Sequence, residues 1–361
     1  MRLGSNNRSA RVPTTHYSRL LSLIPVLAAS VQSSLLGVSS ASPFRPRHYT
    51  MPAATISQHV VTYAEAQDSP STQTTEKSSN GDLNNTASMR AVIRPQRQTQ
   101  FAYRSLSIPP SLDEPAIRSR YRPFLLPNNV TEHDWISRLE LATVTEMAYN
   151  DLKLTGERVK VLVLYGSLRS RSYSKLLAFE ISRILWRLGC DVRIYDPKDL
   201  PMKDDEQHSH PKVQELRELS RWSDGHFWVS PEQHGNLTAV FKNQIDWIPL
   251  STGSVRPTQG RTLGLAMVSG GSQSFNTVNN LRVLGRWMRM FAIPNQSSVP
   301  KAYTLFTDQD ADEGGSRLMP GGNRNRLVDC AEEFVKYTVI MRSHFALFND
   351  RFSEREALPK D

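Results

Sequence analysis

The 361-residue sequence contains only two cysteines, Cys190 and Cys330, and they stand far apart. A disulfide framework is therefore not implied. No Cys-x-x-Cys or Cys/His metal spacing occurs. Two thiols in one chain also cannot supply a three-thiolate site for a soft metalloid, so both cysteines read as reduced and partly buried. Long apolar runs are missing too. Leu20–Ala29 is too short to span a bilayer, and no internal repeat is present. Neither Gly-x-Gly-x-x-Gly nor Gly-Lys-Ser/Thr appears, which excludes the dinucleotide fingerprint and the Walker A loop. Hydrophobic residues make up 39% of the chain and charged residues 22%, so a core of normal size can form.

Acidic residues are absent from the first 64 positions, which hold six arginines and much serine. That is the composition of an organelle transit peptide. Competing readings are a signal-peptide core at Leu20–Ala29, a disordered extension without function, and a true start at Met51. The cytosol and the mitochondrion both stay open. Residues 66–100, rich in Ser, Thr, Gln and Asn, read as a disordered linker. The net charge of +9 first points to a nucleic-acid or membrane surface. Its location weakens that reading: residues 1–100 carry +6, and residues 101–361, with 34 basic and 31 acidic side chains, only +3. Neither nucleic acid nor membrane is expected as a partner.

Order is expected from Phe101. Tyr121–Leu126 reads as an extended arm, and Asp134–Asn150 as one helix capped by Asp134. From Glu157 the pattern alternates. Val159–Tyr165 is a nearly continuous apolar strand of the kind covered on both faces. A helix follows through Leu177, Ile181, Ile184 and Leu188, closed by Gly189. Further strands are expected at Asp191–Tyr195, Gly225–Val229, Arg261–Val268 and Val299–Leu305. Further helices are expected at Val213–Trp222, around Leu237–Ile245, at Phe275–Phe291 and at Leu327–Phe348. Trp222, Trp228, Trp247 and Trp287 fall on core faces and read as packing. The predicted class is α/β, a flavodoxin-like doubly wound five-stranded parallel sheet behind a disordered N-terminal extension. The domain layout is extension 1–100, arm and helix 101–156, flavodoxin-like domain 157–350 and tail 351–361.

In such sheets ligands bind at the carboxyl ends of the strands, so the loops after strands 1, 3 and 4 carry the chemistry. The first, Gly166–Ser174, offers hydroxyls, guanidiniums and backbone N–H groups at a helix N-terminus. That set suits one terminal phosphate monoester, although a polar turn with a serine cap would look similar. The second, Ser230–Asn236, has Pro231 and Gly235 fixing its path and Asn236 as a cap for the next helix. Such a loop can present backbone donors and acceptors to a flavin edge. His234 reads as a hydrogen-bonded loop histidine rather than a base, because hydride transfer at flavin N5 needs none. The third, Ser269–Gln273, has paired glycines that let backbone approach a flat ligand. Asp204–His210 is dense in Asp, Glu and His, but without a partner of suitable spacing it reads as a solvated charge run.

These three loops, in this order, resemble those of the NADPH-dependent FMN reductase superfamily. With Tyr121–Leu126, Asp196-Pro197 and Leu200-Pro201, the resemblance sharpens to the arsenical-resistance flavoproteins called ArsH, over roughly residues 101–350. It implies FMN, with Ser167, Arg169, Ser172, Tyr173 and Ser174 around the phosphate. Pro231, Glu232, Gln233, His234, Gly235 and Asn236, with Ser269, Gly270, Gly271 and Gln273, would line the ring. It implies NADPH as donor, with Arg324 or Arg326 near its 2′-phosphate, no metal, and no catalytic side chain because flavin N5 carries the chemistry. It also implies a homotetramer embraced by arms near residues 101–130, and small-molecule acceptors: oxygen, quinones, azo compounds or trivalent organoarsenicals. The alternative from a different class is a flavodoxin-like electron carrier serving a protein partner.

Overall fold

Strand β1 (Lys160–Tyr165) lies between β2 (Asp191–Tyr195) and β3 (Gly225–Gln233). Beyond β3 come β5 (Thr262–Val268) and a divided last position made of β6 (Phe291–Ala292) and β7 (Ser297–Val299). These pairings are all parallel; β4 (Asn236–Leu237) alone runs antiparallel, folding back on the end of β3. The computed structural model describes residues 98–356, except 132–133, 250–256, 272–273 and 312–314. The described residues all fall within the unit Thr86–Asp361. The expectations for the N-terminal extension, the transit segment and a start at Met51 lie outside the described residues.

The helices are α1 (Pro115–Tyr121), α2 (Asn128–Thr131), α3 (Ala142–Thr155), α4 (Tyr173–Arg187) and α5 (Pro211–Trp222). After them come α6 (Ala239–Trp247), α7 (Asn276–Trp287), α8 (Gly322–Arg342) and α9 (Phe352–Arg355). Side chains alternate across a strand, and the sheet sorts its core accordingly. Val161, Val163, Phe227, Val229 and Ala266 face one layer with Leu177, Ile181, Leu327 and Phe334 of α4 and α8. Leu141, Val144 and Ala148, at the start of and within α3, join that layer. Leu162, Leu164, Trp228 and Leu265 face the other, with Leu216, Phe241 and Leu281 of α5, α6 and α7. Successive parallel strands joined through helices on both faces are a doubly wound, flavodoxin-like sheet. Among the described residues no helix is long and apolar enough to cross a membrane.

Several elements depart from the sequence expectation. Tyr121 ends a helix instead of opening an extended arm, and the chain turns at Arg122, where Leu125 N–H donates to Arg122 O at 3.1 Å. Buried Arg122 pairs with Asp113 and Asp191 and lies over Trp186 at 4.6 Å. The segment after Asp134 is not one helix. A 3-10 turn at Trp135–Arg138 precedes α3, because Arg187 of α4 takes the carbonyls of Ile136 and Leu139. Asp134 makes no cap bond; it pairs with Arg317 at 2.8 Å.

Strand β3 runs four residues past Val229, with Ser230 and Pro231 still in register with Met267 and Val268. A proline near a strand end forfeits one donor only. The fifth strand, expected at Val299–Leu305, lies earlier and is split into β6 and β7, with a 3-10 turn at Ala302–Thr304 where the strand was expected. Pro294 interrupts the ladder, and Arg282 of α7 donates to the carbonyls of Ile293 and Pro294, both at 2.8 Å. Trp287 is 63% exposed on the outer side of α7, unlike buried Trp228 and Trp247 and half-buried Trp222. Cys190 and Cys330 are free and buried, and burial pushes each thiol up to about 12.

Candidate functional site

A cleft of about 750 Å³ opens at the carboxyl ends of β1, β3 and β5. Its floor begins at Gly166, where a β-carbon would come within 2.8 Å of Phe241 Cβ and of Thr238 Oγ1, and within 3.1 Å of Pro231 Cδ. Only glycine lets β1 end against β3 and α6. Thr238 Oγ1 donates to Gly166 O at 2.6 Å and accepts from Phe241 N at 3.3 Å. Thr238 is thus the cap of α6, the role the sequence pattern suggested for Asn236. Gln244 of α6 adds a bond from Nε2 to Tyr165 O at 2.9 Å.

The turn from Gly166 into α4 gathers polar groups. Ser172 caps α4, its Oγ accepting from Lys175 N at 3.2 Å, and its hydroxyl lies 3.0 Å from that of Ser174. Both serines are buried. Ser167 Oγ accepts from Arg169 N at 3.3 Å, and the Arg169 side chain is exposed. Arg171 also lines the cleft and is held elsewhere, by Ser316 Oγ and Thr307 O, each at 2.9 Å. Hydroxyls, a guanidinium and the first N–H groups of a fifteen-residue helix gather here, the kinds of group that bind an anion.

The facing wall is backbone-rich. Pro231, Glu232 and Gln233 line it at the end of β3. Thr277 Oγ1 of α7 donates to Glu232 Oε2 at 3.3 Å. His234 and Gly235 form the tight turn into β4, both with positive φ, 51° and 71°. A two-residue hairpin requires that conformation, and glycine supplies it without strain. On the third side, Ser269 N–H donates to Val299 O, and Ser269 O accepts from Ala302 N, both at 3.0 Å. Ser269 Oγ is buried without a hydrogen-bond partner, and open space surrounds the β-position of Gly270.

Ten of the residues singled out from sequence come together here: Ser167, Arg169, Ser172, Tyr173, Ser174, Pro231, Glu232, Gln233, Ser269 and Gly270. His234, Gly235, Asn236 and Gly271 lie next to the lining without belonging to it. Asn236 is occupied with its own turn and with Asn280 of α7 at 2.9 Å. Gln273 lies outside the described residues. Arg324 sits over Trp135 at 4.7 Å, and neither it nor Arg326 lines the cleft. Sequence reasoning missed Thr238, Val240, Ala302 and Tyr303. The sequence pattern hid Ala302 and Tyr303 inside the expected strand Val299–Leu305, whereas they follow β7, which ends at Val299. Asp204–His210 forms no metal cluster: among the described residues no such group exists. Asp204 caps its own turn through Glu206 N and Gln207 N, and His210 Nδ1 accepts from Lys212 N at the start of α5.

A parallel sheet ordered 2-1-3-4-5 by its parallel strands, with a serine-rich turn and two backbone walls at the switch point, defines a protein of the flavodoxin-like class, whose ligands bind at such a point. The family model for NADPH-dependent FMN reductase matches residues 159–304, which span β1 to the turn after β7. A protein of Rhizobium meliloti, "NADPH-dependent FMN reductase ArsH", is 57% identical over 199 residues, 55% of this chain and 80% of that protein. Proteins of the same name from Acidithiobacillus ferrooxidans and Shigella flexneri are 52% and 48% identical. These matches cover 55% and 63% of this chain, and 81% and 88% of those proteins. The chain belongs to the ArsH family of NADPH-dependent FMN reductases.

Proposed function

We propose that this chain binds FMN in the cleft at the ends of β1, β3 and β5, oxidises NADPH there, and reduces a small-molecule acceptor. The observation that carries the reading is the pair of buried serines, Ser172 and Ser174, beside Arg169 at the N-terminus of α4. Ser167, Arg169, Ser172, Tyr173 and Ser174 hold the phosphate monoester. Pro231–Gln233 and Ser269–Gly270 face the ring, and the unpaired Ser269 hydroxyl and the open side of Gly270 fit a flat polar edge. FMN, when bound, supplies two-electron chemistry between donor and acceptor.

The chain's own contribution is orientation. Thr277 fixes Glu232, the β3–β4 hairpin fixes Gln233, and the Ala302–Ser269 bond fixes the glycine loop. Leu168 and Tyr303 line the cleft while 59% and 56% exposed, an apolar approach suited to flat acceptors such as quinones and azo compounds. Oxygen and trivalent organoarsenicals belong to the same proposal. We also assign a homotetramer, supported by the apolar surface left open at Trp287, Phe291 and Ile340. Light scattering should return four times the chain mass.

The visible spectrum of the purified protein, before and after anaerobic NADPH, tests the reading. A two-band flavin spectrum that bleaches is the expected result. A flavin spectrum that NADPH leaves unchanged would instead identify an electron carrier. No flavin, even after adding FMN, would overturn the site assignment.

A further inference from the structure

Arg171 enters the cleft already gripped. Its Nη1 donates to Ser316 Oγ and its Nη2 to Thr307 O, so two of its five N–H groups are engaged. Thr307 and Ser316 stand on opposite sides of one loop. Its base is closed by Thr307 N–H to Arg317 O and by Arg317 N–H to Thr307 Oγ1, both at 2.8 Å, and by a bridge between Phe306 and Leu318. The base is in turn bolted to the middle of α4. Arg317 Nε donates to Glu180 Oε1 at 2.5 Å and Nη2 to Oε2 at 3.1 Å; Leu318 N–H donates to Oε1 at 3.3 Å. Asp134 takes the other side of Arg317. Glu180 is fully buried and Arg317 is 5% exposed.

A bidentate arginine–carboxylate pair fixes direction as well as distance. Buried pairs are weak sources of stability and better suited to fixing one geometry. Here the geometry runs from Glu180 through Arg317 and Thr307 back to Arg171, within the turn that opens the same helix. We propose that Glu180 and Arg317 are positioning residues: they place Arg171 in the cleft and thereby strengthen its hold on a phosphate-bearing flavin. This rests on the reading of the Ser167–Ser174 turn as the phosphate site.

The test compares equilibrium titrations of the full chain with FMN and with riboflavin, which lacks the phosphate. Arg317→Met should raise the Kd for FMN about tenfold, the effect of removing one charge-assisted hydrogen bond, and leave that for riboflavin unchanged. Arg317→Lys should recover part of the difference. Ser316→Ala, which leaves the buried pair intact, should move FMN alone by a smaller factor. If Arg317→Met does not fold, Arg317→Lys decides: a selective loss of FMN supports the proposal. Equal loss of both flavins, or loss of neither, overturns it. A wild-type protein that binds FMN no tighter than riboflavin would bring down the phosphate reading and this proposal together. A wild-type preference that survives Arg317 substitution brings down the positioning role alone.

Discussion

Gly166→Ala is the sharpest perturbation of the join between fold and site. A β-carbon at this position meets three atoms at 2.8, 2.8 and 3.1 Å, and none is a flexible end. Phe241 is fully buried in α6. Thr238 Oγ1 is held by bonds to Gly166 O and Phe241 N. Pro231 belongs to β3, paired with β5. Relief therefore requires β1, β3 and α6 to separate, an overpacking cost of about 1–3 kcal/mol. At about 2–4 °C per kcal/mol for a unit of this size, Tm should fall by roughly 2–12 °C. Thermal unfolding of the apo protein, followed by FMN titration, measures both effects, and the Kd should rise because the serine turn starts at this residue. Gly270→Ala is the matched control. Its β-carbon meets nothing within 4 Å, so apo stability should stay within about 0.5 kcal/mol while FMN binding weakens. A Gly166→Ala protein with wild-type Tm would refute the steric argument. A Gly270→Ala protein with wild-type FMN affinity would refute the placement of this loop against the ring.

Arg169→Ala removes an exposed side chain, so Tm should not move, while the Kd for FMN should rise by about 30-fold, the equivalent of about 2 kcal/mol; unchanged affinity would reject Arg169 as a phosphate contact. Burial pushes His226 down to about 3 from its ordinary 6.5, so the unfolded chain takes up a proton that the native chain refuses. Stability is then full above pH 6.5 and falls as pH drops below it, by about 2 kcal/mol between pH 7 and pH 5. His226→Gln, which keeps an acceptor for Trp228 Nε1, should flatten that part of the urea-midpoint profile, and an unaltered slope would assign the dependence elsewhere. Cys190 and Cys330, with thiols pushed up to about 12, should resist a thiol reagent in the native protein and both react in denaturant; fast native labelling would contradict their burial.

The strands β1, β2 and β5, the helix α5 and the end of α4 were legible in the sequence to within two residues. Each is a local pattern: an apolar run buried on both faces, or a stripe at helical spacing, closed at α4 by Gly189. The serine turn was legible for the same reason, since its residues are consecutive and follow a strong strand. Where local pattern and neighbours disagreed, the neighbours won. Arg187 takes two carbonyls and breaks the helix expected after Asp134; Arg282 takes two others where Pro294 splits the last strand. Partners at such distances in sequence leave no local trace.

By itself, the order of apolar runs, caps and turn residues determined an α/β sheet with its cleft at the strand carboxyl ends, because periodicity and capping are properties of neighbouring residues. Only the tertiary structure decided which loop residues face the cleft. It set His234, Gly235 and Asn236 into a hairpin turn beside it and brought in Thr238, Ala302 and Tyr303. It alone coupled Arg171 to a buried carboxylate on α4 through a loop more than a hundred residues away. Facing and coupling are set by packing between distant segments, and a side chain's direction is fixed only once the segment it packs against is in place.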